Sequence, residues 1–199
     1  MNARPLKRRD RAAGRGKRSF AASFVIACWL SFGAPQASSW NGEGVEYPVK
    51  LAFLYNFTKF IEWPPDAYRG PGSPLAICIV GRDPFSRDNE GDLRTRIAGS
   101  HPVEVLTLKP SDTLSACHMV FIPATETGQA GKIVRDLKGS STLTVGESEG
   151  FAELGGIINL TVEEHKVHFE VNQLAAQRAR LKISSKLLSL AKIVTDNPQ

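Results

Sequence analysis

The sequence predicts an α/β fold, a three-layer αβα sandwich around a mostly parallel sheet, with an antiparallel hairpin toward the C-terminus. Three observations carry this. Residues 75–80 and 119–122 are short, continuously apolar runs bounded by Gly, Pro or polar residues, the pattern of strands covered on both faces, and the run 142–145 reads as a further strand. Between the later runs lies a segment of helical period, and alternation of strand and helix argues for a parallel sheet. After Gly155-Gly156 the pattern changes to two β-rich runs, 157–162 and 166–171, separated by Glu163-Glu164-His165, which reads as an antiparallel pair.

Taken in order, the first element is the apolar stretch 51–65, LAFLYNFTKFIEWPP. At about 100° per residue it is an amphipathic helix. Val49, Phe53, Leu54, Phe57, Phe60 and Ile61 share one face, with Tyr55, Asn56, Thr58, Lys59 and Glu62 opposite. Each buried phenylalanine contributes about 1.5–3 kcal/mol, so the helix anchors a core. Its start is expected near Val45 or Pro48, since Pro suits a first turn. Pro64 and Pro65 end it, because neither donates an N–H and Pro64 moves Trp63 away from helical angles.

Residues 66–74 are rich in Gly and Pro and read as a loop leading into strand 75–80. Asp83 is a candidate cap, with Pro84 in the first turn, for a helix running to Arg96. Residues 103–108 alternate and predict a second strand near an edge. Asp112 can cap a short turn before strand 119–122. Ile133, Val134 and Leu137 stand at helical spacing within 125–138, and Gly139 is a suitable C-cap. Asn172 is placed to cap a helix through Arg180. Ser184 caps a last one, in which Leu187, Leu188, Ala191 and Val194 form an apolar stripe.

The chain of 199 residues is formally +5, yet its first 37 residues hold eight basic side chains against Asp10 alone. The remainder is therefore −2, which removes the electrostatic argument for nucleic-acid binding. A basic start, the uncharged run 19–32 and a small polar stretch form the three-part pattern of a secretory signal peptide. We expect a signal peptide at 1–37, a mobile lead-in at 38–46 and a single periplasmic domain at 47–199. The uncharged run falls short of the ~20 apolar residues of a spanning helix. Residues 25–28, ending at Cys28, resemble a lipoprotein box, but the apolar run continues past the cysteine.

Without the leader, Cys78 and Cys117 remain, an even number in an oxidising compartment. A disulfide is the natural inference; the alternative is two buried thiols acting as small apolar residues.

Four blocks carry a resemblance over residues 47–194: VKLAFLYNFTKFIEWPP, ICIVGRDPF, LTVGESEGFAELGGIINL and VHFEVNQLAAQRARLKISSKLLSLAKIV. Together, in this order, they resemble the YfiR-like family of bacterial periplasmic proteins. The resemblance implies a small α/β domain that represses an inner-membrane diguanylate cyclase by contact with its periplasmic part, lowering cyclic-di-GMP and biofilm formation. It further implies a homodimer, and sequestration by an OmpA-like outer-membrane lipoprotein. Cys78 and Cys117 match a pair that recurs in that family. Two positions depart from it: Arg180 stands where a helix-ending Gly is expected, and Ser148 where an Asp is usual.

Tyr55, Lys59, Glu62 and the corner residue Trp63 are the candidate partner-binding residues. Arg178, Arg180 and Lys182, with Lys186, form a basic cluster able to take an anion or an acidic patch; its plainer account is a solvated face. Gly146-Glu147-Ser148-Glu149-Gly150 fits the nucleophile-elbow pattern, with Glu163, Glu164, His165 and His168 following in acid-before-base order. Its two glutamates, however, oppose a developing oxyanion, and a polar turn accounts for the same residues. His165 and His168, three apart in a strand, point to opposite faces, and Cys117-His118 has no second cluster to complete a tetrahedral site. Neither metal nor cofactor is expected. The alternatives to a regulator are a small secreted serine hydrolase using Ser148 and a periplasmic ligand-binding module.

Overall fold

In a computed structural model, which describes residues 43–85 and 97–196, helix α1 (Glu43–Phe60) is the first element. Leu51, Leu54 and Phe57 are buried on its inner face. Two assignments to faces change: Val49 is exposed, whereas Thr58 is buried, its hydroxyl donating to the Tyr55 carbonyl at 2.6 Å. The helix also begins earlier than expected, inside the lead-in, and ends at Phe60 rather than at the prolines. Ile61–Glu62 instead form strand β1, which pairs antiparallel with β9 (Lys182–Ile183) in a separate two-stranded ribbon. The β-branched Ile61 and Ile183 are register partners there, an arrangement that residues distant in sequence supply and helical period alone does not reveal. The leader lies outside the described residues, as do residues 86–96 of the helix expected from Pro84 to Arg96; the described Pro84 and Phe85 are not helical.

The main sheet contains β2 (Leu75–Val80), β3 (Ile97–Ala98), β4 (His101–Leu108), β5 (Met119–Ile122), β6 (Leu143–Gly146), β7 (Ile158–Glu163), β8 (Lys166–Asn172) and β10 (Lys192–Val194). Their order is β10-β8-β7-β6-β5-β2-β4-β3. Pairings from β4 through β2, β5 and β6 to β7 are parallel, β7–β8 is the antiparallel hairpin, and β3 lies antiparallel on β4. The fold is thus α/β, mostly parallel, as expected. β2, β5 and β6 are buried throughout, whereas β4 buries only Val103 and Val105, consistent with its place beside a two-residue edge strand.

One face of the sheet packs Ile79, Phe121 and Val145 with Leu54 and Phe57 of α1. The other packs Val80, Val120 and Ile122 with Ala130 and Ile133 of α2 (Thr127–Asp136) and with Phe151. Phe151 explains two glycines: a Cβ on Gly146 would lie 2.4 Å from its ring and one on Gly156 2.2 Å.

Glu164 and His165, both at positive φ, form the two-residue turn of the hairpin, matching its right-handed twist. Asn172 caps α3 (Gln173–Arg178) by accepting from the Ala175 N–H at 2.9 Å. Ser184 caps α4 (Ser185–Leu188), accepting from the Leu187 N–H. The expected apolar stripe does not continue as helix. Only Leu187 is buried, and residues from Lys192 turn into β10, paired parallel with β8; β-branched Ile193 and Val194 suit a strand better.

Candidate functional site

The N-terminal ends of β2, β5 and β6 meet the chain that leaves α1 through the Trp-Pro-Pro corner. Trp63 is buried, and its indole N–H donates to the His118 carbonyl at 2.9 Å. The His118 Nδ1 accepts the Ala76 N–H at 3.0 Å, which fixes the proton of the neutral ring on Nε2. Tyr68 stacks on this imidazole, with centroids 4.7 Å apart, and on His101 at 3.9 Å. Beside this stack the Cys78–Cys117 disulfide joins β2 to the residue before His118. The predicted bond is formed.

A cavity of about 380 Å³ opens here, lined among others by Arg69, Ser73, His118, Ser140, Ser141 and Arg180. Among the described residues two of its buried polar atoms lack a close hydrogen bond: Ser73 Oγ, and His118 Nε2, for which the Ala67 carbonyl is no more than a weak acceptor. Such groups normally find partners, so the cavity offers donors beside two guanidinium groups. Burial pushes the His118 pKa down; the Ala67 carbonyl opposes this, and the charges of His101 and Arg69 add to it.

The linkage has a definite sign. The unfolded histidine takes up a proton below about pH 6.5, whereas the folded one resists it. Its stabilisation is present above that pH and is lost as pH falls through the depressed folded value. Urea denaturation at pH 7.5, 6.5 and 5.5 is expected to show this loss, and His118→Gln to flatten it.

The basic cluster does not act as a unit. Arg178 is committed to Asp196, with Nη1 to Oδ2 at 2.6 Å, and Lys182 lies on the ribbon. Arg180 alone reaches the cavity, donating to Asp66 at 2.8 Å and to Ser141 at 3.0 Å. Its φ of 58° is the left-handed conformation for which a Gly was expected. The Leu181 N–H donates to the Ala176 carbonyl and the Arg180 N–H to Gln177, a Schellman closure. Arg180→Gly is therefore expected to change stability by less than about 1 kcal/mol, because relief of backbone strain offsets an exposed ion pair worth about 0–1 kcal/mol. Thermal denaturation checks this.

Of the candidate partner residues, Lys59 is exposed with its ammonium 4.2 Å from the Tyr55 ring centroid, and Tyr55 is half-buried. Glu62 is exposed and stands opposite Lys182 across the ribbon. The two candidate patches thus merge at the end of α1, where Lys186 also lies over Phe60, 5.6 Å from its centroid. Trp63 is turned inward, away from this surface.

At the opposite, carboxyl end of the sheet, Lys50 of α1 reaches Glu147 in a buried ion pair and also contacts the half-buried Glu46. Glu147 also accepts the Ala124 N–H at 2.6 Å and the Tyr47 hydroxyl at 3.3 Å. One glutamate flanking Ser148 is therefore an internal anchor. The cleft that Ser148 lines has no histidine among its described residues, so His165 and His168 are not brought to it. Nor do the described residues gather three His, Cys, Asp or Glu side chains able to hold a metal.

A family model described as YfiR/HmsC-like matches residues 47–192. The chain belongs to the YfiR/HmsC-like family. Membership suggests a periplasmic regulator in cyclic-di-GMP signalling. Among curated proteins nothing matches. Solved structures similar to this YfiR/HmsC-like chain include an ABC domain from Streptococcus pneumonia in complex with L-Trp, at 12% identity and TM-score 0.45, covering 60% of this chain and 55% of that one. Another is a conserved domain protein from Vibrio cholerae O1 biovar El Tor, at 13% identity and TM-score 0.43, covering 60% and 54%. The chain spans about half the length of these structures. No described helix is long and apolar enough to cross a membrane.

Proposed function

We propose that the protein is a periplasmic repressor of an inner-membrane diguanylate cyclase, acting through protein–protein contact and lowering cyclic-di-GMP and biofilm formation. The family match over residues 47–192 carries this reading. The surface offered to the cyclase is the end of α1 with its ribbon, where Lys59, Glu62 and Lys182 are exposed. The protein works as a homodimer, and the cyclase is released when an OmpA-like outer-membrane lipoprotein sequesters the regulator. Deletion of the gene is expected to raise cellular cyclic-di-GMP and biofilm mass, with restoration by the intact gene and not by a Lys59→Glu variant that folds normally. Unchanged cyclic-di-GMP in the deletion overturns the repressor; full restoration by Lys59→Glu removes this surface from it.

A second reading, a ligand-binding module for a small anion, is supported by the Ser73 hydroxyl and the weakly partnered His118 Nε2 beside Arg69 and Arg180. Calorimetry with small carboxylates and phosphates is expected to give saturable heats that Arg180→Gly abolishes; no heat from any of them ends this reading. The serine-hydrolase alternative stands or falls with fluorophosphonate labelling that Ser148→Ala removes.

A further inference from the structure

We propose that the cleft at the carboxyl ends of β5 and β6 binds a small primary ammonium compound, with a diamine engaging it best. Open parallel sheets take ligands outside the carboxyl ends of their strands, and this site lies at the other end of the sheet from the His118 cavity. The cleft has a volume of about 470 Å³ and extends along β7.

The deciding residue is Asn159, opposite Gly146 on β7 and only 1% exposed. Its side-chain NH2 donates to Glu170 Oε2 at 3.1 Å, which leaves Oδ1 as a buried acceptor with no donor among the described residues. Exchanging the amide's oxygen and nitrogen would set oxygen against carboxylate oxygen, so the acceptor is the orphan. An unpaired buried carbonyl is a cost that a ligand N–H relieves.

The surrounding charge selects a cation. Among the described residues, Glu46, Glu147, Glu149, Glu153 and Glu170 line the cleft against Lys50 and Lys192 alone. Glu147 is taken up by Lys50, Tyr47 and the Ala124 N–H, and Glu170 Oε1 by Lys192 at 2.8 Å. Glu149 and Glu153 line the rim without a salt bridge among the described residues, Glu153 feeling the Lys192 charge only at a distance, and so provide a second anchoring point. A bare metal ion is a poorer occupant, since no trio of metal-ligating side chains is gathered there among the described residues. An ammonium brings three N–H donors and meets both demands, for a hydrogen bond and for positive charge.

Titration of the purified protein with methylammonium, tetramethylammonium and putrescine, followed by calorimetry, tests this. We expect saturable binding of putrescine and methylammonium, and binding at least tenfold weaker for tetramethylammonium, which has the charge but no N–H. Asn159→Leu and the double change Glu149→Gln/Glu153→Gln should each weaken putrescine at least tenfold. The double change lies on the rim of the cleft, so it remains informative if Asn159→Leu does not fold. Arg180→Gly should leave binding intact. The proposal is overturned by the absence of saturable putrescine binding, by equal affinity for tetramethylammonium and methylammonium, or by affinity undiminished in the rim variant.

Discussion

Lys50→Ala is expected to destabilise the fold by about 3–5 kcal/mol, the cost of leaving one member of a buried ion pair without its partner. The Glu147 side chain is 1% exposed and that of Lys50 5%, so the pair is shielded from bulk water in the folded protein. Glu147 additionally fixes the Ala124 N–H, which couples the pair to the segment after β5. Adding Glu147→Gln should recover part of the loss, because the amide keeps an acceptor for that N–H without a charge. Urea denaturation at pH 7 measures both effects. A loss below about 1 kcal/mol would mean that the pair behaves as a solvated one.

The second large effect is expected from Cys78→Ser/Cys117→Ser. The bond spans a sequence separation of 39, and the chain-entropy model gives loops of this size about 3–4 kcal/mol. Both cysteines are buried, so the serines add a desolvation cost. Dithiothreitol should bring the unchanged protein toward the variant in stability, and a variant as stable as the parent under oxidising conditions would contradict the assignment.

Much of this architecture is legible from local pattern. Continuous apolar runs mark β2 and β5 because strands covered on both faces have no polar alternation to conserve, and Asn172 and Ser184 mark helix starts because a short side-chain acceptor is what a free N–H requires. The reading falters where distant residues decide. Ile61 and Glu62 fit a helix as well as a strand; only Lys182 and Ile183 make them a ribbon. Ile193 and Val194 likewise become a strand because β8 is beside them.

The site is less legible still. Cys78 and Cys117 announced themselves by parity and compartment, but Arg178, Arg180 and Lys182, adjacent in sequence, diverge to three places. Lys50 carried an overlooked signal: it stands four residues before Leu54 and seven before Phe57, on the inner face, where a charge demands a counterion. Nothing local identifies Glu147 as that counterion. His118 and Asn159 are ordinary polar residues in sequence, and the weak hydrogen bonding of the one and the unpaired oxygen of the other among the described residues emerge only from packing.

The ribbon between β1 and β9 bears on the timing of folding. With the Arg180–Asp66 bond it closes a separation of 114 residues, and Phe53 and Phe57 of α1 rest on Phe169 at 5.6 Å between ring centroids. A chain delivered N-terminus first thus presents its most aromatic helix long before the surfaces that cover it exist. Contacts of such span are slow to form, and until the last thirty or so residues arrive the helix is a natural place for a holding chaperone to grip.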